Sequence, residues 1–226
     1  MSLPASERHP RLAAARLYFV CEARPRGAAP GELLGAALDG GAGMLELRDK
    51  AIEDDAALVD AARPFREAAE RHGVPFILND RPDLVRECGA DGVHVGQDDT
   101  PVAEARGQIG PDHIIGLSTH SPEQLAAACS APPQARPDYI SLGPVWETPT
   151  KQGRPATGLG LIEHAAREAT LPWFAIGGID GANVGDVVAA GAERIVVVRA
   201  LRDSEDPAAE ARALRDAIEA GAEVWR

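Results

Sequence analysis

Eight short apolar runs alternate with eight stretches of helical periodicity, and this alternation restricts the fold more than anything else in the chain. Strands are expected over residues 17–21, 44–47, 75–78, 92–95, 114–117, 139–142, 173–176 and 194–198. Helical patterns follow over residues 31–39, 54–72, 83–88, 102–109, 122–129, 160–170, 183–190 and 207–220. The strands are apolar almost throughout, as expected when both faces of a parallel sheet are covered. Ser121 followed by Pro122 reads as a helix start, with the serine capping and the proline at the first helical position. Eight strand–helix units in 226 residues fit a single α/β domain, a (β/α)8 TIM barrel. An open doubly wound sheet is the alternative, because periodicity does not report closure. Gly-Ala precedes a strand at Gly41, Gly89 and Gly191, which is what left-handed helix ends produce in any such protein.

The barrel is assigned to residues 16–226. Residues 1–15, "MSLPASERHPRLAAA", have no apolar core of signal-peptide type and read as a flexible N-terminal extension. No run approaches the roughly 20 apolar residues of a membrane span. A net charge of −12 argues against nucleic acid or an anionic membrane as partner, while leaving room for a local cationic pocket. The three cysteines are widely spaced and form no C-x-x-C, so reduced thiols in a cytoplasmic protein are expected.

In a (β/α)8 barrel the chemistry sits where strands end. The segments after strands 2 to 8 include "ELRDK", "NDRPD", "HVGQDDT", "STH", "GPVWETPTKQGRP", "GGID" and "RAL", whereas the entries into the strands are bland. Polar and glycine residues therefore gather on one rim. Arg48 and Lys50 are two apart, share a side, and with Lys151 suit an anionic ligand. Taken as an isolated pair, Arg48 and Lys50 would more simply serve Glu46, Asp49 or another surface acid. Asp80 and Asp99 end neighbouring strands, a placement suited to Mg²⁺ shared with substrate phosphate. Asp98 is read as the cap of the helix near Pro101, and Asp99 is divided evenly between cap and metal ligand. Gly177-Gly178 either admits a ligand to bare backbone or forms a tight turn. His94 is read as a structural hydrogen-bonding residue, and His120 as a general acid or base if it has a chemical role. Ser118 is read as a donor to a ligand oxygen, with no His–Asp relay behind it.

"ELRDK", "NDRPDL", "GADGVHVGQDD", "GLSTHS", "YISLGPVWETPTK", "AIGGID" and "VVVRAL", in this order from Glu46 to Leu201, resemble the motifs of thiamine-phosphate synthases. The resemblance implies a cytoplasmic barrel transferase. Such an enzyme joins hydroxymethylpyrimidine diphosphate to a thiazole phosphate and releases pyrophosphate. It further implies that Arg48, Lys50, Asn79, Ser118 and Lys151 face the diphosphate, and that Asp80 and Asp99 hold Mg²⁺. Thr148 and Thr150 would bind the thiazole phosphate with backbone near Gly178, Val198 and Arg199. Two residues depart from the family pattern. Glu46 stands where Gln is usual, and Arg199 where Ser is common. The partners implied are small molecules, and a homo-oligomer is compatible with the sequence. Two rivals are a thiazole tautomerase, which would use a histidine such as His120, and a non-catalytic phosphate-binding barrel. Asp80, Asp99 and Lys151 favour the synthase over both.

Overall fold

The structure is a computed structural model that describes residues 9–147 and 155–222. Its elements run α1 (Pro10–Ala14), β1 (Leu17–Cys21), α2 (Gly31–Asp39), β2 (Met44–Leu47), α3 (Asp55–His72), β3 (Phe76–Asn79), α4 (Val85–Cys88), β4 (Gly92–Val95), α5 (Val102–Ile109), β5 (Ile114–Thr119), α6 (Pro122–Ser130), β6 (Tyr139–Leu142), α7 (Gly158–Glu168), β7 (Trp173–Ile176), α8 (Val184–Ala189), β8 (Ile195–Val197), α9 (Arg199–Arg202) and α10 (Pro207–Ala222). The strands close into a parallel barrel in sequence order, β8 pairing with β1. The (β/α)8 expectation is met and the open sheet is excluded.

Alternation along each strand explains why the runs look apolar throughout. Leu17, Phe19, Leu45, Leu47, Ile115 and Ile140 pack outward under the helices. Tyr18, Val20, Met44, Ile77, Ile114, Tyr139, Phe174 and Val196 form a separate cluster inside the barrel. Leu12 of α1, fully buried, belongs to this inner cluster. The part of the expected extension at residues 10–14 is thus a helix packed on the barrel interior, and residues 1–8 lie outside the described residues.

Local signals hold at two helix starts and at the glycine helix ends. Asp54 caps α3 by accepting from the Ala57 N–H at 2.8 Å, and Ser121 caps α6 by accepting from Gln124 at 3.3 Å. Gly41, Gly89 and Gly191 all have positive φ, so the Gly-Ala recurrence is helix-end geometry. Asp98 does not cap α5: the N-cap position is Pro101, which has no capping side chain. Strand β3 begins and ends one residue later than expected, which brings Asn79 into the sheet.

Burial pushes the Cys21 thiol up to about 12 and the Cys88 thiol up to about 11. Cys129 is half-buried, and all three thiols are free. Brief alkylation of the native protein at mildly alkaline pH is therefore expected to modify Cys129 alone, and denaturation to release the other two. Intact-mass analysis showing rapid double alkylation of the native chain would contradict this.

Candidate active site

The carboxyl ends of the strands surround a cavity of about 600 Å³, within the size range of small-molecule sites. Arg48, Lys50, Asn79, Asp80, Asp99, Ser118, Gly178, Val198 and Arg199 all line it, and so does buried Glu46. The described residues of the rim read from the sequence line one cavity. Thr148, Thr150 and Lys151 lie outside the described residues.

The acids meet as the strand ends require. Asp80 follows β3 with φ 61°, a left-handed conformation that Asp tolerates, and its N–H donates to the His94 carbonyl at 2.9 Å. Asp99 is turned back by accepting from the Gly96 N–H at 2.7 Å. The Asp80 carboxyl is pushed up by burial and by the adjacent Asp99 charge, while Lys50 pulls it down. Lys50 Nζ lies 3.0 Å from Asp80 Oδ2. Two half-buried carboxylates with mutual repulsion fit a divalent cation. Mg²⁺ takes one or two such groups and completes its shell with phosphate and water. Among the described residues no group of three acids, histidines or cysteines could form an all-protein cage.

The bland pairing of Arg48 and Lys50 with Glu46 or Asp49 does not occur. Asp49 accepts backbone N–H groups from Ala23 and Ala51 instead, and Glu46 accepts from Tyr18. Lys50 pairs with a site acid. Among the described residues Arg48 has no side-chain ion pair or hydrogen bond.

Gly177 and Gly178 have φ of 111° and 71°. A Cβ on Gly177 would stand 2.5 Å from Pro144 Cα, so the space there is taken by the chain after β6, not by a ligand. That chain is tied to β7 through Val145 N–H to the Ile176 carbonyl (2.9 Å) and Trp146 N–H to the Gly177 carbonyl (3.1 Å). Its two ends also meet: Thr157 N–H donates to the Pro144 carbonyl at 2.7 Å and Gly158 N–H to Val145 at 3.1 Å. Gly178 lends its carbonyl to Asn183 Nδ2 at 2.8 Å.

His94 is a structural hydrogen-bonding residue. Its Nδ1 lies 3.0 Å from Tyr139 Oη and its Nε2 lies 2.9 Å from Ser118 Oγ. His120 Nδ1 contacts the Gly143 carbonyl, and its N–H donates to Gln124 at 2.7 Å. Tyr18, Ser141 and Gln97 are polar lining residues that sequence reading missed, and Tyr139 lies buried behind them, against Tyr18 and His94. Gln97 Nε2 donates to the Ser118 carbonyl at 2.6 Å. The two tyrosines read as ordinary strand apolars. The available signal was that a phenol buried inside a barrel needs a partner for its hydroxyl.

A (β/α)8 barrel with paired carboxylates at the carboxyl ends of its strands is the class defined by this geometry. The family described as thiamine monophosphate synthase matches residues 17–201, and the chain belongs to that family. A thiamine-phosphate synthase of Mycobacterium sp. (strain KMS) is 46% identical, with 96% of this chain and 99% of that protein aligned. One from Acidothermus cellulolyticus is 47% identical, covering 87% and 92% respectively. The solved thiamine phosphate pyrophosphorylase of Pyrococcus furiosus superposes with a TM-score of 0.80 at 28% identity, over 95% of this chain and 98% of that one. The chain is accordingly an enzyme of the transferase class.

Proposed function

We propose that this enzyme couples hydroxymethylpyrimidine diphosphate to hydroxyethylthiazole phosphate, giving thiamine phosphate and pyrophosphate with Mg²⁺ as cofactor. The observation that carries the reading is the meeting of Asp80 and Asp99 beside Arg48 and Lys50 on one cavity wall. The thiamine-phosphate synthases aligned over nearly the whole chain support the choice of substrates.

The C–O bond between the pyrimidine methylene and the diphosphate breaks, its electron pair leaving with pyrophosphate. The thiazole nitrogen lone pair then forms the C–N bond. Such chemistry needs charge neutralisation, alignment and exclusion of water more than a proton relay. Arg48, Lys50, Asn79 and Lys151 are assigned to the diphosphate. Thr148, Thr150 and backbone near Gly178, Val198 and Arg199 are assigned to the phosphate that stays. Asp80 and Asp99 would hold Mg²⁺, which supplies charge stabilisation to the departing oxygens. The exposed Arg199 side chain adds positive charge on the same rim.

The test is formation of thiamine phosphate from the two substrates by the purified protein. Product is expected with Mg²⁺ and is expected to vanish with excess EDTA and return on adding Mg²⁺. Absence of product with both substrates and Mg²⁺ present would refute the assignment.

A further inference from the structure

We propose that Glu46 fixes the direction of a hydrogen-bonded chain across the barrel interior, so that Ser118 at its far end turns a lone pair to the cavity and accepts from an amino group of the ligand. The identity of the amine, the pyrimidine amino group, rests on the reaction proposed above. The direction of the chain does not.

Each group in the chain has a fixed number of protons to give. Tyr18 Oη donates to the Glu46 carboxylate. A phenol has one proton, so the contact between Tyr18 Oη and Tyr139 Oη at 3.1 Å requires Tyr139 to be the donor. Tyr139 has then spent its proton, and its contact with His94 Nδ1 at 3.0 Å requires a proton on Nδ1. A neutral imidazole with Nδ1–H has a bare Nε2, which accepts from Ser118 Oγ at 2.9 Å. Ser141 Oγ, 3.3 Å from Nε2 and 3.5 Å from Ser118 Oγ, closes this end.

Burial supports each step. Tyr18 and Tyr139 are 1% and 0% exposed, and His94 is 7% exposed. Burial, and next the Glu46 charge, hold both phenols well above their ordinary titration range, so both keep their protons. The resemblance alone places Ser118 at the diphosphate. A serine whose proton is committed to His94 is a poor donor to phosphate oxygens and a good acceptor for N–H. Ser118 is thus assigned as a substrate-contacting specificity residue, and Glu46, Tyr18, Tyr139 and His94 as positioning residues.

Nitrogen-15 histidine labelling of the ligand-free full-length protein reads the tautomer directly, with His94 assigned from a His94→Gln spectrum. At neutral pH the expected pattern is a protonated Nδ1 and a bare Nε2. A protonated Nε2 would overturn the proposal. Tyr18→Phe cuts the chain from Glu46 and is expected to release the tautomer toward Nε2–H. An unchanged spectrum would show that Glu46 does not set it. Should Tyr18→Phe not fold, Glu46→Leu is read the same way. In the coupling assay the wild type is expected to show a KM for the amino substrate at least roughly tenfold below that for its des-amino analogue, a binding readout separate from the intrinsic effect of the amino group on bond breaking. Ser118→Ala is expected to lose most of that preference, and retention of it would refute the acceptor role. If the wild type couples neither compound, the failure belongs to the assigned reaction, and the spectra still decide the direction of the chain.

Discussion

Asp99→Asn is expected to lower kcat for thiamine phosphate formation by about a hundredfold, ~2.7 kcal/mol in the barrier. The substitution is chosen because the amide oxygen can still accept from the Gly96 N–H, the contact that turns this residue toward Asp80. The fold of the segment is kept and only the charge is removed. Asp80 is already engaged by Lys50 at 3.0 Å, so on its own it offers a divalent cation a largely neutralised partner. The discriminating readout is the Mg²⁺ titration. The variant is expected to need more Mg²⁺ for half-maximal rate, with thermal stability close to wild type. A rate within about threefold of wild type at limiting Mg²⁺ would remove Asp99 from the metal site. Lys151→Ala is expected to reduce turnover at least roughly tenfold without this shift in Mg²⁺ dependence.

Gly116→Ala is expected to be strongly destabilising inside the barrel. The added carbon would lie 2.2 Å from Tyr139 Cζ and 2.4 Å from His94 Nδ1. Neither ring can retreat easily. Tyr139 is stacked edge-on against Tyr18 and Phe174, with centroids at 6.0 and 5.6 Å, and His94 is held at both nitrogens. Overpacking of this kind costs about 1–3 kcal/mol. Gly107→Ala, in α5 with nothing within 4 Å of the new carbon, is the control and is expected to be neutral or slightly stabilising. Urea midpoints measured side by side check both. Equal stability of the two variants would mean that the interior has more slack than its geometry shows.

The architecture was legible because its signals are local. Apolar runs too short for helices, glycines at helix ends and a proline after a capping serine each specify one element, and eight units in series fit a barrel, while closure itself is fixed only by the pairing of β8 with β1. The acids and cations were legible because polar residues at strand ends have few structural reasons to gather on one side. Two kinds of feature were not readable. Tyr18 and Tyr139 come from β1 and β6, and only the register of the closed barrel brings their hydroxyls together. Helix α1 is five residues long, too short to show a period, so the burial of Leu12 had no signature in the sequence. Asp98 was misread because a carboxylate near a helix start is a common cap, whereas here Pro101 occupies that position. The Gly177 turn was ambiguous because a chain neighbour and a ligand both demand an absent side chain.

The junction of Pro144 and Val145 with Thr157 and Gly158 has a structural consequence. Since the two ends of the segment are fastened to each other and to β7, the entropy of closing it is met by the frame. The barrel need not register how many residues lie between. Extending a closed loop costs only about 0.6 kcal/mol for each doubling of its length. The strands, the acid pair and the cavity floor are therefore insulated from the number of residues that lie between these two anchor points.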